Sequence, residues 1–236
     1  MLEQCHRYLD YQGVHYCKPE KAGASASDMT ALRNLAQAAR KEFQTLSLAL
    51  AEQVGPLVPE RVSQWMNQAQ ICRPHFWTYY RLPSASPSAP AFAIRLYGKG
   101  VEAGISVEVS FIERKKVETS LLQQNRVLNC PIQAPLYYWV QEGQVFYRLD
   151  GTEENRQILL EAVETGRVRK VLVKYDVPFE TVESEEELLD HLVGGFFLLE
   201  PYLKMTKPLN DQWVDSKQAL SGYLFFGHID KSIVLL

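Results

Sequence analysis

Met29, Leu32, Ala36, Ala39, Phe43, Leu46 and Leu50 follow one another at steps of three and four residues. That spacing is a single stripe along an α-helix, and a strand would scatter the same residues over both faces. Ser27 and Asp28 stand ahead of it as N-cap side chains. Gly55-Pro56 stops it. The stripe covers about three heptads, the lower limit for a coiled coil. Packing on the chain's own core is therefore expected, with a homodimer through residues 29–50 as the alternative use of the same face.

The 236 residues and 27.0 kDa suffice for a domain that buries about 70% of its unfolded surface. After the long helix, Pro59 occupies a first helical position, and Val62, Trp65, Met66 and Ala69 continue at helical spacing, predicting a second helix that ends at Pro74. His75 to Leu82 is aromatic-rich and reads as a strand. Residues 83–90 form a Pro/Ser/Ala connector. Strands are predicted at 91–98 and 104–113. In the latter, Ile105, Val107, Val109 and Phe111 alternate with Ser106, Glu108, Ser110 and Ile112, the pattern of a half-buried strand with one apolar face.

A short helix is expected over 117–128, and strands at 135–141 and 144–149 flank the turn signal Glu142-Gly143. Thr152 caps a helix to Thr165 that buries Ile158, Leu159, Ala162 and Val163, with Gly166 at its end. Residues 168–175 are a further strand. Ser184-Glu185-Glu186-Glu187 is a capping box. It opens a helix burying Leu188, Leu189, Leu192, Val193 and Phe196, in which Gly194-Gly195 marks a kink or a close approach to a neighbour. Short strands are placed at 222–226 and 232–236. Long helices, then hairpin-linked strands, then alternating elements define an α+β fold with a mostly antiparallel sheet. The expected organisation is a loose N-terminal arm over 1–26, one domain over 27–205 and an extension over 206–236.

A formal net charge of −3 excludes a strongly basic polyanion binder but leaves room for a local basic patch. Residues 61–126 hold nine Lys+Arg against four Asp+Glu, whereas residues 150–200 hold five against thirteen, mostly on helix surfaces and caps. No stretch has the 18–20 apolar residues, approximately, that span a bilayer. The opening Met1-Leu2-Glu3-Gln4-Cys5-His6 lacks a charged-then-apolar leader pattern, so a cytoplasmic protein is expected. Free thiols are expected at Cys5, Cys17, Cys72 and Cys130. Cys5, His6, His15 and Cys17 match no usual zinc spacing, and no motif assigns a cofactor.

Four constellations bear on chemistry. Gly98-x-Gly100-x-x-x-Gly104 is one residue too long for a dinucleotide fingerprint and precedes a strand, so a hairpin loop is expected. Arg73, His75, Trp77, Tyr79 and Arg81, together with Lys116, make an aromatic–basic set. Such residues stack bases and hold phosphates, and equally fill ordinary cores. Glu113-Arg114-Lys115 at a strand end, with Glu108 upstream, matches the carboxylate-x-lysine half of a metal-dependent phosphodiesterase site. The aspartate that usually precedes it is missing, and a charged strand end is the plainer reading. Asp190-His191 are sequence neighbours on a helix and do not face each other.

Gln64-Trp65-Met66-Asn67-Gln68-Ala69-Gln70, Arg73-Pro74-His75-Phe76-Trp77 and Ser106 to Lys115, with Gly151 to Arg156 and Arg169 to Asp176, resemble a short bacterial family catalogued as glucose-6-phosphate 1-dehydrogenase. The resemblance spans residues 28–203 and implies oxidation of glucose 6-phosphate with NADP. This sequence departs from the longer dehydrogenases of that name in lacking the G-x-x-G-x-x-[GA] turn. Its nearest echo of their Arg-Ile-Asp-His-Tyr-Leu-Gly-Lys-Glu motif, Asp190-His191-Leu192-Val193-Gly194-Gly195, has neither the arginine nor the lysine. No catalytic residue carries over. Three readings follow: a binding or interaction protein of unassigned partner that uses the aromatic–basic surface around 73–116, for which salt-sensitive binding of an oligonucleotide or phosphorylated ligand would count, a metal-dependent phosphodiesterase, and the dehydrogenase.

Overall fold

The computed structural model describes residues 2–207. The predicted long stripe forms helix α2, Ala26–Gln53, with Leu32, Ala36, Ala39, Phe43, Leu46 and Leu50 all buried. The stripe is used inside the chain: it belongs to the main core, and the Ser47 carbonyl accepts from the Tyr80 hydroxyl at 3.0 Å. The face once open to a homodimer is therefore occupied.

Among the described residues seven strands make one sheet: β1 (Val58–Pro59), β2 (Trp77–Arg81), β3 (Ala91–Tyr97), β4 (Gly104–Ser110), β5 (Tyr137–Glu142), β6 (Val145–Asp150) and β7 (Lys170–Pro178). Their spatial order is β1-β2-β3-β4-β7-β5-β6, and every pairing is antiparallel. With α1 (Glu3–Tyr8), α3 (Glu118–Asn125), α4 (Glu153–Glu164) and α5 (Glu185–Thr206), the fold is α+β. The glycine-rich stretch after Tyr97 is a hairpin loop. Gly98 has φ +76°, and a side chain there would run into the Glu102 carbonyl. At the other hairpin, Glu142 pairs with Val145 around Gly143-Gln144, with Gly143 at φ +58°.

The helix starts are built as their sequences dictate. Thr152 accepts from the Asn155 N–H, and Ser184 from the Glu187 N–H. The Glu187 carboxylate accepts from the Glu183 N–H, one residue earlier than a standard capping box. Leu188, Leu192, Val193 and Phe196 bury the inner face of α5, and Leu189 packs partly against it. Gly195 is the close approach: a Cβ there would lie 2.7 Å from Tyr175 Cδ1 and 2.8 Å from Val107 Cγ2. Gly194 meets nothing within 4 Å.

Four expectations are corrected. Residues 59–69 are not a helix. Residues 60–63 follow β2, with the Glu60 N–H donating to the Tyr79 carbonyl at 2.7 Å and the Ser63 N–H to the Trp77 carbonyl at 3.0 Å, and Asn67 to Gln70 is a turn closed by the Gln70 N–H on the Asn67 carbonyl. The free edge of β2 offers these backbone partners, while Val62 and Trp65 still bury their side chains. The N-terminal stretch is not loose. Cys5, Tyr8 and Leu9 are fully buried, α1 packs on α2, and the Tyr8 hydroxyl bonds the Trp65 carbonyl. Strand β4 is not half-buried: all seven residues are buried, because its polar face is packed as well. Ile158 is exposed, so α4 buries only Leu159 and Ala162 fully. Among the described residues no helix is long and apolar enough to cross a membrane. The strands expected at 222–226 and 232–236 lie outside the described residues.

Candidate ligand-binding face of the sheet

Alternation along the strands divides the sheet into two faces. Phe76, Tyr80, Phe92, Ile94, Leu96, Ile105, Val107, Val109, Tyr138, Val140, Val171, Val173 and Val177 join the core with α2 and α5. The alternate residues form the second face. There Tyr79, Ala91 and Ala93 make a separate apolar cluster, against which Trp77 and Ile112 pack. Ile112 arrives because the chain folds back after β4, and the Tyr79 hydroxyl donates to the Phe111 carbonyl at 3.0 Å to hold it there.

Glu108 lies at the middle of this face, fully buried. Arg95 donates to its Oε1 from Nη2 at 2.7 Å and from Nε at 3.1 Å, and the Lys174 ammonium lies 3.3 Å from Oε2. Burial alone would raise the Glu108 carboxyl. The two cations instead hold it down at about 2. Lys174 also sits 5.5 Å from the Trp139 ring centre. Next to it, Asp176 accepts from the Tyr137 hydroxyl at 2.8 Å and pairs with Arg148 at 3.4 Å, and Arg148 lies over the Tyr137 ring. Burial nevertheless raises the Asp176 carboxyl.

The aromatic–basic set separates into two groups. Arg73, His75 and Trp77 do come together. The Trp77 ring has the Arg73 guanidinium 5.0 Å and the Arg95 guanidinium 5.3 Å from its centre, with the His75 ring at 5.3 Å. His75 is pushed down to about 3 by burial first and then by Arg95, with Lys174 and Arg73 adding to it. Its imidazole is therefore neutral at physiological pH. The Arg73 pKa is lowered by burial and by the nearby charge of Arg114. Among the described residues Arg73 and Arg114 make no ion pair, whereas Arg95 pairs with Glu108.

Tyr79 and Arg81 are buried and committed elsewhere. Arg81 pairs with Glu60 at 2.8 Å and donates to the Ser86 and Ala89 carbonyls, pinning the 83–90 connector. Lys116 pairs with Glu113 at 3.4 Å.

The phosphodiesterase candidates Glu108, Glu113 and Lys115 are each held by different partners. Glu113 sits in a 3₁₀ turn, not on the strand, and receives Lys170 at 2.8 Å and Arg169 at 3.3 Å. These hydrogen bonds outweigh partial burial and hold its carboxyl near 2. Lys115 turns toward Glu60 at 3.8 Å. Among the described residues no three His, Cys, Asp or Glu are grouped to hold a metal ion. In the N-terminal stretch, Cys5 donates to the Ala39 carbonyl, His6 bonds the Gly100 carbonyl, His15 bridges Ile71 and Cys17 donates to the Lys18 carbonyl. Asp190 is exposed on α5.

Arg95, Trp139, Arg148 and Lys174 belong to this face and were not among the sequence candidates. Their signal was a charged or aromatic residue alternating with buried aliphatics, as in Ile94-Arg95-Leu96 and Val173-Lys174-Tyr175. Comparison of the chain with protein-family models, with curated proteins and with solved structures finds no match.

Proposed function

We propose that the protein binds a phosphate-bearing ligand, with single-stranded nucleic acid as its representative, at the Arg73–Trp77–Arg95 corner of the second sheet face. The observation that carries this reading is Trp77 flanked by two guanidiniums, with Arg73 close to a second carboxylate-free arginine, Arg114. An indole offers a stacking surface to any base, and Arg73, which no carboxylate neutralises, favours phosphate, whereas Arg95 is already held by Glu108. The test is fluorescence anisotropy of a labelled mixed-sequence single strand at low and moderate salt. Saturable binding that weakens steeply with salt supports the reading, and absence of binding at low salt overturns it.

The phosphodiesterase reading gains less. Glu108 and Glu113 are already neutralised by cations, which leaves little for a divalent metal to add. It would require magnesium-dependent cleavage that is lost in Glu113→Ala. The dehydrogenase reading would require NADP reduction by glucose 6-phosphate. Among the described residues the sheet is wholly antiparallel and supplies no parallel βαβ crevice of the kind that binds dinucleotides.

A further inference from the structure

We propose that the chain forms a two-fold dimer by pairing the outer edge of β6 with the same edge of a second copy, independently of the Arg73–Trp77–Arg95 corner. Strand β6 ends the sheet, and among the described residues no strand lies beyond it. Its six residues, Val145–Asp150, hold no proline, glycine or bulge. Val145 and Phe146 are 62% and 49% exposed. An edge of that kind is a template for another strand.

The opposite edge is closed. Strand β1 has two residues, one of them Pro59, and just past it the Val62 and Ser63 carbonyls accept from Arg40 at 2.8 and 3.0 Å. On β6 the charge that could guard the edge is drawn back: Arg148 lies 3.8 Å from the Tyr137 ring centre and pairs with Asp176.

Backbone geometry fixes the register. Glu142 and Val145 flank a two-residue turn, so Val145, Tyr147 and Leu149 commit their N–H and C=O groups to β5. Those of Phe146, Arg148 and Asp150 point away from it. The Asp150 carbonyl is already occupied by the Asn155 side chain and the Thr152 N–H, both at 2.9 Å. Among the described residues, Phe146 and Arg148 keep both groups free. A second β6 running antiparallel satisfies them when Phe146 of each copy faces Arg148 of the other. Val145 then faces Leu149, and Tyr147 meets itself on the two-fold axis.

Other registers are worse. A slip of one residue puts the two faces of the sheet out of step. A slip of two toward α4 sets Arg148 against Arg148, where like charges repel, and calls on the Asp150 carbonyl. A slip of two the other way sets Arg148 against Gln144, in the turn itself. Phe146 opposite Arg148 instead places a cation beside an aromatic ring at both ends of the contact.

The test is light scattering of the full chain at about 0.1 mM, where a dimer of micromolar dissociation constant is nearly complete. Twice the 27.0 kDa chain mass is expected. Phe146→Pro removes the outward N–H, spares the β5 ladder and should leave a folded monomer. Phe146→Lys keeps the backbone but faces Arg148 with a like charge, and should raise the dissociation constant about tenfold or more. In a Cys17→Ser background, Tyr147→Cys should give a disulfide-linked dimer on mild oxidation, because opposed residues without hydrogen bonds have Cα atoms about 4.5 Å apart, within disulfide reach. Val145→Cys, displaced from the axis, should not. Three results would overturn the proposal: a monomer of 27.0 kDa, which would hand the edge to a different partner, a dimer unaltered by both Phe146 variants, or Tyr147→Cys linking no better than Val145→Cys.

Discussion

Arg95 reaches diagonally from β3 to β4 and grips the Glu108 carboxylate with two nitrogens, at 2.7 and 3.1 Å from the same oxygen. The register pairs Glu108 with Ala93 and with Lys174, so the small Ala93 leaves room for the guanidinium. Glu108→Gln would leave two cations in a buried setting without their counter-charge. Removing one partner of a buried pair costs about 3–5 kcal/mol. Urea unfolding should show a loss of that size, and a loss under about 1 kcal/mol would mean that water already screens the cluster.

The acid limb of stability has two parts. His75 titrates near 3 in the folded chain against 6.5 ordinarily. Between those values the unfolded chain takes up a proton that the folded chain refuses, so stability falls as pH drops through the window. Glu108 continues the trend: its contribution is complete above its ordinary 4.5 and is lost as pH falls toward about 2. Unfolding midpoints at about pH 7, 5 and 4 should decline in the wild type, and His75→Asn should flatten the upper part. A wild-type midpoint that is level from about pH 7 to pH 5 would contradict a buried neutral imidazole.

The two adjacent glycines of α5 should respond oppositely. Gly194→Ala meets nothing within 4 Å and should stabilise the helix by about 0.5–1 kcal/mol. Gly195→Ala drives a methyl into Tyr175 and Val107 and should cost about 1–3 kcal/mol. Thermal melts of the two variants would separate them, and equal shifts would place the contact elsewhere.

On the sheet face, Trp77→Ala should weaken single-strand binding by about 1–3 kcal/mol, the worth of one stacked base. Arg73→Gln should weaken it too and flatten the salt dependence by about one phosphate contact. Anisotropy titrations across salt check both. Equal affinity in both variants would remove the corner from the binding surface.

Thiol reactivity should divide the cysteines. Cys5, Cys72 and Cys130 are buried, and burial raises all three thiols. Cys17 is half-exposed. Among these four, a native-state thiol assay should modify Cys17 first, and the other three only on unfolding.

Elements whose signal is local were legible in the sequence. The α2 stripe, the Gly143 hairpin, the Thr152 and Ser184 caps and the Gly98 loop each follow from a few neighbouring residues. Residues 59–69 misled because Val62, Trp65 and Met66 fit helical spacing, while the deciding partners, the carbonyls of Trp77 and Tyr79, lie beyond Pro74. The alternation of Ser106, Glu108 and Ser110 signalled solvent, and nothing nearby announced that Arg95 and Lys174 would neutralise Glu108. For the same reason Arg73, His75 and Trp77 were found together, whereas Arg95, Lys174, Trp139 and Arg148 were not. Strand pairing brings these four from distant parts of the chain.

The place of β7 between β4 and β5 governs the order of assembly. Strands β2, β3 and β4 pair with sequence neighbours, as do β5 and β6. These two pieces share no ladder until Lys170–Pro178 arrives and bonds to both. Chain synthesis must therefore pass residue 178 before either half has its neighbour. Until then β4 and β5 each present an open edge, and the slow, long-range closure of the sheet falls to the last of the described strands.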